Sequence, residues 1–280
     1  MAVAGTNKRP GSHLWMGAAE RLGRPWFATV LAASGLCLIY LLGFLANWGH
    51  VADRSVYANL GMLPPGLATT ILAWSASQTR SDRRSVWAWR LLALGFAGFF
   101  VGDALYFIYQ NLLGKSPFPS LADAGYLVYY PLMFAGLLFL PTAIRDRAHR
   151  TRLLGTCIVV VLAGGMLISY FFLFPLLDSS PDDLLAYSLS VGYPVGDLFL
   201  LAGIVYLFLG RGMSAHSSLY LLGAGLIVGL AADLVYGYQS LQGSLQAGGL
   251  SDAGFMLSWI LFAWASYSEF ARADSGLEGR

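Results

Sequence analysis

The chain has 280 residues, of which 57% are apolar and only 11% are charged, and its net charge is +2. Soluble domains carry roughly 25% charged residues, so this composition excludes an ordinary soluble protein. The small net charge does not by itself indicate a class of partner. We expect no nucleic-acid partner. The two cysteines, Cys37 and Cys157, lie inside apolar runs, which argues against a disulfide framework or a thiolate metal site.

Long apolar runs recur along the whole sequence, and they do not alternate with the period of two that strands require. A bilayer-spanning helix needs about 20 mostly apolar residues. We therefore predict an all-α integral membrane protein whose eight transmembrane helices form four hairpins. The predicted spans are Trp26–Trp48, Val56–Ala76, Trp87–Leu113, Ser120–Thr142, Arg152–Leu177, Leu184–Gly210, His216–Ser240 and Ser251–Phe270. We expect a basic segment over residues 1–25, the bundle over 26–270 and a short tail over 271–280.

The basic residues predict the orientation of these spans. Of the 17 lysines and arginines, all but Arg54 and Lys115 fall on one side of the predicted membrane, which leaves 15 on that side. Basic residues concentrate in cytoplasmic connections, so both termini are expected in the cytoplasm of a multi-pass protein of the cell (plasma) membrane. The fifth connection, with Asp178, Asp182 and Asp183, then faces outward.

One sequence pattern occurs twice. An Asp-x-x-Tyr pair near the end of an apolar helix is followed by a Leu-x-Asp-Ala-Gly string that opens the next helix. The first copy contains Asp103, Tyr106 and Asp123, and the second contains Asp233, Tyr236 and Asp252. We interpret the two copies as an internal pseudo-repeat.

The acids of these copies lie inside or at the mouths of apolar helices, where a charged residue costs about 2.5–3.5 kcal/mol on insertion scales. No lysine or arginine shares their predicted level, whereas several tyrosines do. We expect an outward-facing polar pocket, although each acid alone is equally compatible with a hydrogen-bonded packing role. The candidate ligand-binding residues are Asp103, Tyr106, Asp123, Tyr130, Tyr193, Asp197, Asp233, Tyr236 and Asp252.

Asp103 and Asp233 are expected to form the central pair of this pocket. Two neighbouring carboxyl groups raise each other's pKa, so such a pair is able to share a proton, hold a cation or bind a polar ligand. If a metal ion is bound, Asp103 and Asp233 are its candidate ligands. We identify no catalytic residue, and the sequence indicates no particular cofactor.

Four strings stand in order along the hydrophobic body: Pro117 to Asp123, Tyr130 to Leu132, Gly192 to Leu198 and Ala232 to Tyr236. The series resembles the multi-helix membrane input region of bacterial, especially actinobacterial, diguanylate cyclases, phosphodiesterases and sensor histidine kinases. The resemblance covers roughly Val86 to Phe270. It implies a sensory or anchoring bundle that passes a signal through its last helix to a cytoplasmic output domain, and it carries over no binding residues. Only ten residues follow Phe270, so we expect a separate output protein or another role for this copy.

We therefore expect a membrane sensor or signalling input module in which a small ligand or cation binds the outward pocket. Two alternatives remain open. An intramembrane hydrolase acting on lipid head groups would resemble lysoplasmalogenase-like enzymes and would use two facing carboxylates for acid–base chemistry. A proton-coupled small-molecule transporter would use the intramembrane acids as proton carriers. The expected partners are the lipid bilayer and either a cytoplasmic output protein or a second copy of the chain.

Overall fold

A computed structural model describes residues 12–45, 51–141, 146–174, 184–211, 216–246 and 248–274. The regular structure in these ranges is helical, and no strand occurs in them. The helices are α1 (Ser12–Leu45), α2 (Val51–Gln78), α3 (Arg83–Phe107), α4 (Leu121–Phe139), α5 (Arg147–Ile168), α6 (Leu184–Arg211), α7 (Ser217–Leu241) and α8 (Leu250–Asp274). Short π-helical turns extend α3 over Ile108–Leu112 and α5 over Ser169–Leu173. The acids of the fifth connection, the first residues of the basic segment and the end of the tail lie outside the described residues.

Six helices, α1 and α3 to α7, are long and apolar enough to cross a membrane. The predicted all-helical membrane protein is therefore confirmed at this coarser level. The other two predicted spans, α2 and α8, do not reach the same apolarity, since α8 carries Asp252, Glu269 and Arg272 within its length. Polar side chains of this kind are tolerated in a helix that neighbouring helices enclose.

The packing covers most of α8 and one side of α2, whose other side exposes Tyr57, Leu60 and Leu67. Helix α8 lies against α1, α2 and α7, and α2 also packs against α3. On the other side of the bundle, α3 packs against α4, and α6 packs against α4, α5 and α7. The polar side chains of Thr69 and Ser77 in α2, and of Ser258 and Ser266 in α8, are accordingly buried.

The outer surface of the bundle is apolar. On α1, Leu38 and Ile39 are more than half exposed, and on α5 Val159, Leu162 and Met166 are exposed to a greater degree still. Water-soluble monomers rarely expose contiguous apolar surface of this extent. These faces are suited to contact with lipid.

Basic side chains hold together one end of the bundle, which we call the basic end. Arg80 forms a buried salt bridge of 2.5 Å with Glu269 near the end of α8, and Ser218 at the start of α7 donates to the same carboxylate at 2.5 Å. Arg84 at the start of α3 donates to the last carbonyl groups of α4. His149 of α5 lies 3.4 Å from the Leu209 carbonyl oxygen of α6. Six helix termini and the connection before α3 therefore meet at this end.

Helix α3 begins at the basic end with a side-chain cap. Asp82 accepts hydrogen bonds from the backbone N–H groups of Ser85 at 2.8 Å and Arg84 at 3.3 Å. These bonds stabilise the carboxylate, chiefly the one from Ser85, and hold the pKa of Asp82 below its ordinary value. The cap fixes where α3 starts and so where its later residues lie.

Glycines allow α3 and α4 to cross at very short range. A Cβ atom on Gly125 of α4 would lie 2.6 Å from the carbonyl oxygen of Gly98 and 2.8 Å from the amide nitrogen of Gly102 in α3. The corresponding glycine of the second copy is Gly254 in α8. A Cβ atom on Gly254 would lie 2.8 Å from the Cβ atom of Ala232 in α7. Small residues permit such close approach between helices in lipid.

We predict that Gly125→Ala destabilises the folded protein by about 1–3 kcal/mol, because the added methyl group meets backbone atoms that cannot rotate away. Thermal unfolding in detergent, followed by tryptophan fluorescence, measures the effect. Gly155→Ala in α5 is the matched control, since a Cβ there meets nothing within 4 Å and alanine is the better helix former. Equal melting temperatures for the two variants would contradict the close crossing.

Candidate functional site

The predicted acids converge in the half of the bundle away from the basic end. Five helices, α3, α4, α6, α7 and α8, each contribute one of them, and Asp103, Asp123 and Asp197 are buried. Tyr106 and Tyr236 interact electrostatically with several of these acids. We call the nine predicted residues the acid–tyrosine cluster: Asp103, Tyr106, Asp123, Tyr130, Tyr193, Asp197, Asp233, Tyr236 and Asp252.

Asp103 of α3 is held by two aromatic donors. The hydroxyl of Tyr126 in α4 lies 3.0 Å from one carboxyl oxygen, and the indole Nε1 of Trp259 in α8 lies 2.8 Å from the other. Gly102 makes the first contact possible, because a Cβ there would be 2.6 Å from the Tyr126 ring. Both oxygens of this buried carboxyl group are therefore satisfied without a basic residue.

The repeated Leu-x-Asp-Ala-Gly string is a helix-start signal in both copies. Asp123 accepts from the backbone N–H of Ser120 at 2.7 Å, while the Ser120 hydroxyl accepts from Ala122 at 3.1 Å, which is a capping box. Asp252 accepts from the backbone N–H of Gly248 at 2.6 Å. Asp123 also accepts a short hydrogen bond from the Tyr193 hydroxyl of α6. Asp123 therefore caps the start of α4 and also connects it to α6.

Tyr106 and Tyr236 occupy the same position in the two copies, three residues after Asp103 and Asp233. Their phenol groups lie close to each other. The two copies therefore meet at equivalent residues in the middle of the cluster.

The remaining acids pair differently from our expectation. The carboxyl neighbour of Asp233 of α7 is Asp197 of α6, not Asp103, and the Tyr130 side chain lies close to both acids. Gly196 allows this approach, because a Cβ there would be 2.5 Å from the Tyr130 ring. The Oδ1 atom of Asp197 is buried and has no hydrogen-bond donor among the described residues.

The aromatic donors are exchanged between the two copies. Tyr130 stands seven residues after Asp123, and Trp259 stands seven residues after Asp252. Trp259, from the second copy, binds Asp103 of the first. Tyr130, from the first copy, lies close to Asp233 of the second. The sequence alone shows that Trp259 and Tyr130 occupy equivalent positions, but not that each lies at the acid of the other copy.

The two copies differ at the position three residues after the helix-start acid. Three residues after Asp123 stands Tyr126, which donates to Asp103. Three residues after Asp252 stands Phe255, which has no hydroxyl to donate. Asp233 therefore lacks the second aromatic donor that Asp103 has, and Asp197 lies beside it instead.

A small cavity adjoins Asp233. Its walls include aromatic rings from three helices, and it has room for only about one water molecule. The lining residues are Phe99, Tyr129, Leu200, Gly229, Leu230, Asp233, Phe255, Ser258, Trp259 and Phe262. Sequence reasoning missed this cavity, because its lining residues are spread over five helices and do not form a motif.

The metal hypothesis finds no support in the described residues. No group of three or more histidine, cysteine, aspartate or glutamate side chains in those ranges is arranged to hold a metal ion. The expected Asp103–Asp233 ligand pair is not formed, since both side chains have other partners. Glu269 forms its salt bridge with Arg80 at the basic end, away from this cluster.

Comparison with protein-family models, curated proteins and solved structures found no match. The resemblance to sensor input regions therefore remains an expectation from the sequence. The function has to be inferred from the acid–tyrosine cluster and from the helices that carry it.

We predict that Asp103→Asn leaves the protein folded, since an amide retains an acceptor for Trp259 and a donor that the Tyr126 oxygen accepts. Asp103→Leu removes both acceptors and leaves two buried donors unpaired, at about 1–3 kcal/mol for each. Thermal unfolding in detergent should therefore rank wild type and Asp103→Asn together, well above Asp103→Leu. If the leucine variant is as stable as wild type, these hydrogen bonds do not stabilise the fold.

Proposed function

We propose that the protein is a membrane sensor or signalling input module whose acid–tyrosine cluster binds a small ligand or cation. In this proposal all eight helices cross the cell membrane, including α2 and α8, whose polar side chains Thr69, Ser258 and Ser266 are buried against other helices. The observation that carries the proposal is the convergence of five acids from five helices, among which Asp103 is held by phenol and indole donors and Asp123 accepts from a phenol.

The composition of the cluster favours binding over packing. Each acid inside an apolar bundle costs about 2.5–3.5 kcal/mol on insertion scales, and a packing role is served as well by a neutral side chain. Asp197 adds a second carboxyl group beside Asp233 and keeps one buried oxygen without a donor. An unpartnered buried oxygen of this kind favours a site that completes its contacts when something binds.

Helix α8 supplies a path from the cluster to the basic end. Trp259 holds Asp103 in the cluster, and Glu269 lies ten residues further along the same helix, about 15 Å at the rise of an α-helix. Glu269 is bound there by Arg80 and Ser218. A shift of α8 at the cluster would therefore disturb a buried ion pair at the other end.

The location of the basic residues supports an orientation for this path. Arg80, Arg84 and His149 meet at one end of the bundle, and basic residues concentrate on the cytoplasmic side of membrane proteins. The cluster would then face outward, with both termini in the cytoplasm. A separate output protein, or a second copy of the chain, would receive the signal at the basic end.

We predict that Asp233→Asn changes the hydrogen exchange of the basic end as well as that of the cluster. The expected change covers backbone amides near Arg80 and near Glu269, because the helices that leave the cluster end there. Hydrogen–deuterium exchange mass spectrometry on the protein in lipid nanodiscs measures it. Gly155→Ala, on the exposed face of α5, is the control and should leave both regions as in wild type.

An exchange difference confined to the residues around Asp233 would contradict the sensor proposal, since it would show no communication along α8. Glu269→Gln provides the converse test. Loss of this ion pair should alter the exchange of amides near Trp259 if the two ends are coupled, and only those near Arg80 if they are not.

Proton-coupled transport is the second candidate, favoured by the Asp197–Asp233 pair within the apolar bundle. It predicts proton movement across liposomes that contain the purified protein, lost in Asp233→Asn. The sensor proposal predicts no such movement. The hydrolase alternative depended on Asp103 facing Asp233, and these carboxyl groups have other partners.

A further inference from the structure

The two copies of the repeated pattern differ in a single polar group at the position three residues after the helix-start acid. Tyr126 gives Asp103 a second donor, whereas Phe255 gives Asp233 none, and a second carboxyl group, from Asp197, lies there instead. One acid is thus surrounded by donors, and the other faces a group that is itself an acceptor when ionised. The two sites are equivalent in sequence position but opposite in chemistry.

We propose that Asp197 and Asp233 form a proton-binding site, in which one proton is shared between the two carboxyl groups. This proposal rests on the proposed sensor function. It identifies the ligand of the sensor as a proton. Two carboxylates in contact inside an apolar bundle repel each other, and a proton between them replaces that repulsion with a hydrogen bond.

Among the residues that the structure describes, no lysine or arginine interacts with the pair in place of the proton. The titratable groups in electrostatic contact with it are phenols: Tyr129 and Tyr130 from α4, Tyr193 from α6 and Tyr236 from α7. Helices α3 and α8 present Phe99, Phe255, Ser258 and Trp259 at the adjoining cavity. These groups are neutral at physiological pH, so the charge of the pair depends on its own proton.

The cavity provides a place for exchange of this proton. Asp233 lines it directly, and the space matches about one water molecule. Ser258 already donates its hydroxyl proton to the Gly225 carbonyl at 3.0 Å, so its oxygen is available as an acceptor. A water-sized occupant would touch the carboxyl group on one side and aromatic faces on the others.

Infrared difference spectroscopy tests the assignment, because the C=O stretch of a protonated carboxyl group is separate from the bands of carboxylates. The probe is the proton itself: the full-length protein, in an ester-free detergent, is cycled between acid and alkaline buffer. We expect wild type to keep a carboxylic acid band at neutral pH that shifts in heavy water and disappears at alkaline pH. The Asp197→Asn/Asp233→Asn variant should lack this band, and Glu269→Gln, which removes a buried acid paired with an arginine, should retain it.

Phe255→Tyr is an independent test if the double variant does not fold. The new hydroxyl should reach Asp233 as that of Tyr126 reaches Asp103, and it would stabilise the carboxylate. The band should then disappear at a lower pH than in wild type. The matched variant Tyr126→Phe changes the same group in the other copy and should leave the titration of this band in place.

Three results would overturn the proposal: no carboxylic acid band in wild type at neutral pH, a band that persists in the double variant, or a band lost in Asp103→Asn but not in the double variant. The outcome is separate from that of the sensor proposal. A shared proton without any exchange change at the basic end would leave a proton site in a protein that does not signal along α8. Coupling along α8 without the band would retain the sensor and exclude the proton as its ligand.

Discussion

The structure depends on how five carboxyl groups are accommodated inside an apolar bundle. Aromatic side chains take the place that lysine or arginine has in a soluble core: Tyr126 and Trp259 donate to Asp103, Tyr193 donates to Asp123, and Tyr130 lies close to Asp233. Each donor comes from a helix other than that of its acid. The acids therefore hold the helices together through polar contacts, where lipid provides little hydrophobic driving force between helices.

Two Gly-Asp dipeptides make this arrangement possible. A glycine immediately before Asp103 and before Asp197 leaves room for a tyrosine ring on the helix surface, and the hydroxyl of that ring lies at or near the acid. A larger residue at Gly102 or Gly196 would displace the ring from its acid. The same dipeptide therefore provides the close packing, through its glycine, and the polar contact, through its acid. We count Gly102 and Gly196 as part of the site for this reason.

The function that we propose follows from the difference between the two copies. Asp103 has a full set of donors and behaves as a fixed part of the bundle, whereas Asp233 has a carboxyl partner and an adjoining cavity. Helix α8 touches both environments through Trp259, and it ends at the buried Arg80–Glu269 pair. A change in the charge of Asp197 and Asp233 would therefore act on a helix that is anchored at both ends.

The sequence by itself determined that the chain is a helical membrane protein, because long apolar runs leave no other way to satisfy the backbone in lipid. It also indicated which acids lie in the apolar helices, since buried charge is rare enough in such runs to mark a site. It did not select Tyr126, which donates to Asp103, and it did not determine the partners: Asp197 lies beside Asp233, and Trp259 from the other copy binds Asp103. Nor did it reveal the Arg80–Glu269–Ser218 contacts, which join residues more than 50 positions apart. These pairings depend on how the helices rotate and cross, and only tertiary packing, through contacts such as Gly125 on Gly98, fixes those angles.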